Sequence, residues 1–325
     1  MFYSGTEENI EIPDSYNGQT ITAIGSMAFN NVGAAGLMTM DFRDENNPIF
    51  KVFFWEEPSQ ELKDEMAENG VTMTTYEDII NTGYRYDEID MSGGPIIIPI
   101  GSDGGGTKSR LKTVDMSKME HLKEVYPAAF NSEGNGGNIE SVIFPTNGTL
   151  ISIGNGAFGN NKIRTLNLPQ GLKNIESDAF YENQLSETLT IPSSVTSIGK
   201  RAFSGNSDGS KNKISSLVFE NNSNLQTIGN SAFSFNQLSG TLTIPSSITS
   251  IGDGAFYGNK INTLNLGSGL TSLGSNAFSK NYNNTTSSYT LQEININMTE
   301  STWNSRNLPT SNWYDGNITP TYKSE

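Results

Sequence analysis

The sequence contains no cysteine and a single histidine, His121, so it lacks many of the residues that build catalytic and metal sites. Without cysteine the chain can form no disulfide, no thiol nucleophile and no cysteine–zinc site. Its 20 Lys and Arg residues stand against 35 Asp and Glu residues, a formal net charge of −15. We expect no nucleic-acid partner, because such binding needs basic side chains that replace the counterions of the phosphates. We also predict no cofactor and no metal.

Long hydrophobic runs are missing as well. The longest strongly apolar run spans residues 95–100, whereas a membrane helix needs about 20 apolar residues. The opening stretch, MFYSGTEENI, has no basic segment followed by an apolar one, as a signal peptide would. The sequence therefore predicts neither membrane insertion nor a signal peptide within these residues, and it leaves the oligomeric state open.

An internal repeat dominates the sequence. The pair Ala-Phe recurs, an aliphatic residue stands five positions before each phenylalanine, and in most units an asparagine follows three positions after it. The phenylalanines are Phe29, Phe130, Phe158, Phe180, Phe203, Phe233, Phe256 and Phe278. The asparagines at this spacing are Asn161, Asn183, Asn206, Asn236, Asn259 and Asn281. A repeat of fixed internal spacing predicts stacked structural units.

Each unit begins with a short alternating segment, for example Leu242-x-Ile244, and proline often ends it, as at Pro245. Alternation with a period of two is typical of a strand. One unit of about 22 residues cannot bury its apolar side chains alone, so neighbouring units must share a core. We predict strands stacked about 4.8 Å apart and phenylalanine rings in one continuous column. We expect the asparagines to bind backbone groups at the turn and the glycine after the aliphatic residue to adopt an unusual backbone angle.

The units LTIPSSVTSIGKRAFSGN and LTIPSSITSIGDGAFYGN resemble BspA-type leucine-rich repeats. The resemblance is good over residues 139–296 and weaker over 111–130 and 10–29. It implies an α/β repeat solenoid, a right-handed superhelix with a concave parallel β-sheet, and the strand templates suggest about eleven strands. It also implies a secreted or cell-surface protein of bacterial type with a protein partner, such as a host matrix protein or another cell surface.

Two segments depart from the repeat. Residues 43–85 have a strand–helix–strand pattern and are predicted to form an inserted α/β excursion. Residues 297–325 lack the Ala-Phe pair, and we expect Trp303, Trp313 and Tyr314 to cover the open end of the core. An exposed carbohydrate-binding surface is the alternative for these aromatic residues. The predicted division is therefore 1–42 (N-terminal repeats), 43–85 (excursion), 86–296 (solenoid) and 297–325 (C-terminal cap).

The outward positions of the strands predict a partner-binding face, because alternate residues of a strand point away from the core. These positions are acidic in the N-terminal third and rich in threonine and asparagine further on. The strand propensity of threonine also accounts for part of this pattern. The candidate binding residues are Asp41, Glu88, Asp90, Asp115, Asn167, Thr190, Thr243 and Asn265.

Catalytic patterns are scarce. His121 precedes an expected core leucine and should face solvent, and residues 101–109 lack the Gly-Lys-Ser/Thr order of a phosphate-binding loop. We therefore predict a non-catalytic protein-binding or adhesion module. The alternatives are a structural spacer and, less favoured, a hydrolase with its site near the 43–85 insert.

Overall fold

The computed structural model describes residues 112–131, 137–283, 288–315 and 318–324, together with the strand backbones at 9–11, 15–16, 19–20, 23–24, 37–44 and 47–54. The candidate residues Glu88 and Asp90, the predicted helix and second strand of the 43–85 excursion, and the loop 101–109 lie outside the described residues.

The described elements are short strands and one helix. In chain order the strands are β1 Asn9–Glu11, β2 Ser15–Tyr16, β3 Gln19–Thr20, β4 Ala23–Ile24, β5 Leu37–Asp44, β6 Asn47–Phe54, β7 Thr113–Asp115, β8 Glu124–Val125, β9 Ser141–Ile143, β10 Ser152–Ile153, β11 Asn174–Ile175, β12 Thr188–Ile191, β13 Ser197–Ile198, β14 Ser216–Phe219, β15 Thr227–Ile228, β16 Ser239–Ile244, β17 Ser250–Ile251, β18 Lys260–Leu266, β19 Ser272–Leu273, β20 Tyr282–Asn283, β21 Ser288–Tyr289, β22 Glu293–Ile296 and β23 Thr321–Tyr322. Helix α1, Glu300–Ser305, lies between β22 and β23.

The alternating segments form parallel strands, as predicted. They build three sheets, β1-β7-β9, β12-β14 and β16-β18-β22-β23, whose outward surface we call the strand face. Equivalent positions of successive units pair in register, so that Leu242 lies opposite Leu264 and Leu264 opposite Ile294. The predicted count of about eleven strands is too high for the described residues, where this side has nine. The predicted strand around Leu166 and Leu168 is not formed.

A second sheet runs along the solenoid and was not anticipated from the sequence. Eight two-residue strands stack in parallel in the order β19-β17-β15-β13-β11-β10-β8-β4. We call it the short-strand sheet. Each strand contains the aliphatic residue five positions before the phenylalanine, such as Ile198 or Ile228. Seven of these eight windings also contribute a strand to the strand face, the exception being the winding of β11, whose segment around Leu166 and Leu168 forms no strand. The molecule is therefore a parallel β-solenoid with little helix.

At the N-terminal end of the short-strand sheet, the alternating segment with Leu37, Met40 and Phe42 does not form a parallel repeat strand. Strand β5 pairs antiparallel with β4, and β6 pairs antiparallel with β5 along its whole length. Only two residues separate β5 from β6, and so short a connection permits antiparallel pairing, whereas a parallel repeat strand needs a full crossover. Asp41 is consequently paired with Ala23 in this sheet and is absent from the strand face.

The phenylalanine column is confirmed. Rings of successive units stack nearly parallel, with centroid separations from 5.0 to 5.4 Å and interplanar angles of 4–9°. The stacked residues are all fully buried: Phe130, Phe158, Phe180, Phe203, Phe233, Phe256 and Phe278. The column fills the interior between the two ladders and the turns, so it connects the packing of every described unit.

A ladder of buried asparagines runs beside the column. In Asn236 the side-chain Nδ2 donates to the carbonyl oxygens of Phe203 (2.9 Å) and Phe233 (3.2 Å), and Oδ1 accepts from the Ile214 N–H (2.9 Å). The ladder consists of Asn161, Asn183, Asn212, Asn236, Asn259 and Asn281. Each side chain links its own winding to the preceding one, which confirms the expectation that these amides satisfy backbone groups at the turn.

One member of the ladder was assigned wrongly from the sequence. Asn206 follows Phe203 at the expected spacing, but its Oδ1 accepts from the Ser210 N–H (3.1 Å) in an exposed loop. The buried position is occupied by Asn212, whose Nδ2 donates to the Phe180 carbonyl oxygen (2.9 Å) and whose Oδ1 accepts from the Leu185 N–H (3.1 Å). The loop between these asparagines extends outward, so the chain returns to the stack only at Asn212.

The glycine that follows the aliphatic residue is required because a side chain there would clash with the backbone of the preceding winding. The prediction that this glycine adopts an unusual backbone angle is therefore wrong. A Cβ atom on Gly199 would lie 2.4 Å from the Ser177 nitrogen of the preceding winding, well inside van der Waals contact. Left-handed φ angles occur instead two residues before the phenylalanine, for example at Arg201 (53°) and Ser231 (56°). The glycine therefore allows backbone segments of adjacent windings to approach closely.

Gly199→Ala should lower the free energy of unfolding by about 3 kcal/mol, the upper end for overpacking, because the added methyl group meets rigid backbone. Gly209→Ala is the control: nothing lies within 4 Å of its Cβ position, although its φ is +71°. We expect that control to cost about 1 kcal/mol from backbone strain. Urea denaturation measures both values, and equal losses would contradict the close-approach explanation.

The C-terminal segment adds a winding that covers the end of the column. The Phe278 N–H donates to the Trp313 carbonyl oxygen at 2.7 Å, as the Phe256 N–H does to Ala277. Trp313 packs edge-on against Phe278 at 6.0 Å, and Trp303 and Trp313 are both buried. Strand β23 then extends the sheet beyond β22. These tryptophans therefore offer no exposed carbohydrate-binding surface.

Arg306 joins this C-terminal winding to the solenoid by hydrogen bonds. Its Nη1 donates to the carbonyl oxygens of Ser268 (2.8 Å) and Leu270 (2.6 Å). Arg306→Ala should lower the free energy of unfolding of the C-terminal winding by about 1.5–3 kcal/mol, because hydrogen bonds from a charged donor are lost. Hydrogen exchange at the Phe278 amide reports the loss.

Arg164→Ala is the matched control, since Arg164 contacts only the exposed carboxylate of Glu140 in an ion pair of 3.6 Å. We expect a change of about 0–1 kcal/mol there. If Arg306→Ala leaves the hydrogen-exchange rate of the Phe278 amide unchanged, the Arg306 hydrogen bonds do not stabilise the C-terminal winding.

Candidate binding surface

The strand face carries the outward side chains of the broad strands in register. Asp115 lies opposite Ile143, Thr190 opposite Val218, and Thr243 opposite Asn265. The rows are straight because each parallel pair joins equivalent positions, and the buried aliphatic residues beneath hold each strand in place. Side chains on this face therefore project from a rigid support.

The structure places four of the eight predicted binding residues on the strand face, and a fifth, Asn167, lies between β9 and β12 in a segment that forms no strand. Asn167, Thr190 and Thr243 are exposed, while Asp115 and Asn265 are half-buried. Thr243 and Asn265 are brought together, since Asn265 Nδ2 donates to Thr243 Oγ1 at 3.2 Å.

The predicted acidic row is altered at its N-terminal end. Asp41 is absent from the face, and Glu11 pairs with Asp115 in register. Asp115 Oδ1 accepts from the Ser117 N–H at 2.8 Å, which orients the carboxylate. The row therefore begins with two acidic positions on adjacent strands.

Two aliphatic residues on the strand face were not selected from the sequence. Ile143 is 42% exposed and Val218 is 44% exposed, although both stand in strands whose other aliphatic residues are buried. The available signal was an aliphatic residue at an outward position, where the other units have threonine, asparagine or an acidic residue. Neither side chain belongs to the buried core.

The short-strand sheet presents a second surface, but the fold already uses many of its hydroxyl groups. Thr196 Oγ1 donates to the Lys173 carbonyl oxygen (3.1 Å), and Thr249 Oγ1 donates to the Gln226 carbonyl oxygen (3.2 Å). One aliphatic side chain, Ile151, is 44% exposed beside β10. This surface leaves fewer polar groups for a partner than the strand face does.

A family model for the BspA type leucine rich repeat region matches the chain in six copies, over residues 123–219 and 210–313. The chain belongs to the BspA-type leucine-rich repeat family. No curated protein matches its sequence. Among the described residues of this BspA-type protein, no helix is long and apolar enough to cross a membrane.

Three solved structures are similar to this BspA-type chain. A leucine rich cell surface protein from Faecalibacterium prausnitzii A2-165 has 19% identity and a TM-score of 0.35, covering 57% of this chain and 39% of that one. A leucine-rich repeat protein from Bacteroides ovatus ATCC 8483 has 15% identity and a TM-score of 0.32, covering 66% and 58%. The pneumococcal vaccine antigen PcpA has 16% identity and a TM-score of 0.36, covering 91% and 62%. The chain thus spans less than two thirds of each of these proteins.

Charged residues of the BspA-type repeats form a compact cluster at the turns. Arg201 makes a bidentate ion pair with Asp178 (2.7 and 2.9 Å), and its guanidinium lies 5.0 Å from the ring centre of Tyr181. Burial raises the pKa of Tyr181 to about 12, and the hydrogen bond and charge of Glu182 act in the same direction. The pairing satisfies these groups mutually and leaves no group arranged for acid–base chemistry.

The described part of the BspA-type solenoid contains no cluster of metal-ligating side chains. Within the described ranges, no group of three or more His, Cys, Asp or Glu side chains converges on one point. His121 is exposed, as the sequence predicted.

Proposed function

We propose that this BspA-type chain is a non-catalytic protein-binding module of a secreted or cell-surface protein and that its partner contacts the strand face. The observation that carries the proposal is the outward exposure of Ile143 on β9 and Val218 on β14, on a face whose other outward side chains are polar. Membership of the family supports the location and the binding role through the resemblance described above.

The spacing of these side chains suits a protein interface. Ile143 and Val218 are separated by three windings, and the phenylalanine rings of these windings are 5.4, 5.4 and 5.3 Å apart, which gives about 16 Å between the two side chains along the stack. Asn167 and Thr190 lie between them and are short enough to let a partner reach both aliphatic residues. An apolar centre with polar neighbours is the usual composition of a protein–protein interface.

Charge favours a basic partner at the N-terminal end of the face. Asp115 lies beside Ile143 in register, and Glu11 occupies the adjacent position. The chain as a whole carries a formal charge of −15. Acidic side chains at the rim of an interface accelerate association with a basic surface, and the effect declines as salt is added.

The test compares the double variant Ile143→Asp, Val218→Asp with the control Ile151→Asp, which is equally exposed but lies on the short-strand sheet. Binding is measured to a panel of immobilised extracellular-matrix and cell-surface proteins. We expect the unchanged chain to bind at least one member, the double variant to bind at least about tenfold more weakly, and the control to bind normally.

Failure of the unchanged chain to bind any member would reject the binding module in favour of a structural spacer. Equal losses in the double variant and the control would reject the strand face as the contact surface. Circular dichroism of each variant checks that the solenoid is intact.

A further inference from the structure

A shallow groove lies at the C-terminal end of the strand face. It has a volume of about 490 Å³ and follows the ends of β16, β18, β22 and β23. Its polar lining comprises Thr243, Ser246, Asn265, Asn295, Asn297 and Lys323, among others. Thr243, Asn265 and Asn295 occupy one register row, so three adjacent strands present their side chains side by side. We call this site the amide groove.

Strand propensity does not account for the amides in the groove. Asparagine is depleted in strands, whereas threonine is favoured. The fold does not need Asn265 or Asn295 for the core, because both side chains point outward beside the buried residues Leu264, Leu266 and Ile294. Their presence in mid-strand is therefore explained neither by the core nor by strand propensity.

The amides are fixed in orientation by hydrogen bonds along the row. Asn295 Nδ2 donates to Asn265 Oδ1 (3.0 Å) and to Glu293 Oε1 (3.1 Å), and Asn265 Nδ2 donates to Thr243 Oγ1 (3.2 Å). These bonds leave the Thr243 hydroxyl hydrogen, one N–H of Asn265 and the Oδ1 of Asn295 without partners among the described residues. The row thus offers two donors and one acceptor on neighbouring strands, held in place before any ligand arrives.

The small number of charged residues in the groove disfavours a strongly charged ligand. Lys323 is the single charged residue among the described residues that line it. An anion such as a phosphate would require more cationic donors than one lysine. An extended peptide would find no free backbone edge beside Asn265 or Asn295, because β18 and β22 are each paired on both sides. The edge strand of this sheet is β23, which carries neither amide.

We propose that the amide groove binds a neutral glycan. Each hydroxyl of a sugar can donate and accept a hydrogen bond, which matches fixed amide and hydroxyl groups that offer both functions. A volume of about 490 Å³ lies within the range of small-ligand pockets, roughly 300–1,000 Å³. This inference goes beyond the proposed protein-binding role and does not depend on it.

The test uses Asn265→Thr and Asn295→Thr, which remove the amides and keep a residue that favours strands. Asn167→Thr is the matched control, since Asn167 is an exposed asparagine outside the groove. A microarray of neutral and acidic oligosaccharides identifies a neutral binder, and calorimetric titration with that oligosaccharide gives the affinity of each variant. We expect affinity to fall about tenfold in each groove variant, as loss of fixed hydrogen bonds predicts, and to stay unchanged in the control.

Three outcomes would overturn the proposal. The unchanged chain binds no neutral oligosaccharide at millimolar concentration; both groove variants retain full affinity; or the array shows only acidic glycans whose binding is lost in Lys323→Ala, which would make the groove an anion site. The double variant Ile143→Asp, Val218→Asp separates this proposal from the protein-binding one, because it should leave glycan affinity unchanged. Thermal melting checks that Asn265→Thr and Asn295→Thr remain folded.

Discussion

Phe203→Ala is expected to lower the free energy of unfolding by about 3–5 kcal/mol, the usual cost of removing a fully buried aromatic ring. The Phe203 ring stacks between Phe180 (5.4 Å) and Phe233 (5.3 Å), so its loss leaves a cavity in the middle of the column. Both neighbours are held by their own windings and cannot close the gap. Chemical denaturation followed by circular dichroism measures the change.

Tyr289→Ala is the control for the column. Tyr289 is 47% exposed and contacts Tyr282 edge-on outside the column. We expect its removal to change the free energy of unfolding by less than about 1 kcal/mol. A Phe203→Ala variant as stable as the Tyr289→Ala variant would mean that the stacked rings do not support the solenoid.

Asn212→Ala should lower the free energy of unfolding by about 2–4 kcal/mol, the second largest effect that we expect. The substitution leaves the buried Leu185 N–H without its acceptor and the Phe180 carbonyl oxygen without its donor. Each buried polar group left unsatisfied costs about 1–3 kcal/mol. Denaturation curves of the variant and the unchanged chain give the difference.

Asn206→Ala provides a sharp control because the spacing from Phe203 assigns the buried role to Asn206. In the structure its Oδ1 accepts from the Ser210 N–H in an exposed loop, where water can replace the bond. We expect a loss below about 1 kcal/mol. If Asn206→Ala lowered the free energy of unfolding more than Asn212→Ala, the assignment of Asn212 to the asparagine ladder would be wrong.

The assignment of Asn206 shows where spacing arguments fail. Counting forward from the phenylalanine assumes that no loop intervenes. Here six residues lie between Asn206 and Lys213, and they form the exposed loop that ends at the buried Asn212. Counting backward from the next buried aliphatic residue identifies the correct asparagine, since Asn212 stands two residues before Ile214 as Asn236 stands two before Leu238. Asn281 shows the reverse case, because a loop there follows the asparagine, so the forward spacing from Phe278 identifies it and the backward spacing from Leu291 does not.

For the candidate binding residues, too, the sequence pattern predicted some features correctly and missed others. Alternation predicted which side chains leave the core, and Asn167, Thr190 and Thr243 are exposed accordingly. It did not show that Asp41 belongs to an antiparallel hairpin, because a strand pattern carries no information on the direction of its neighbour. Nor did it show the hydrogen bond from Asn265 to Thr243, which joins residues of two windings.

The sequence by itself determined the family, the stacked repeat and the phenylalanine column, because burial imposes a periodic pattern that can be read from residue types. Only the tertiary structure decided the short-strand sheet, the N-terminal hairpin, the identity of Asn212 as the ladder residue and the amide groove. Two-residue strands such as Ser197–Ile198 are too short to show alternation. The groove depends on contacts between outward side chains of different windings, and burial places no constraint on those residues.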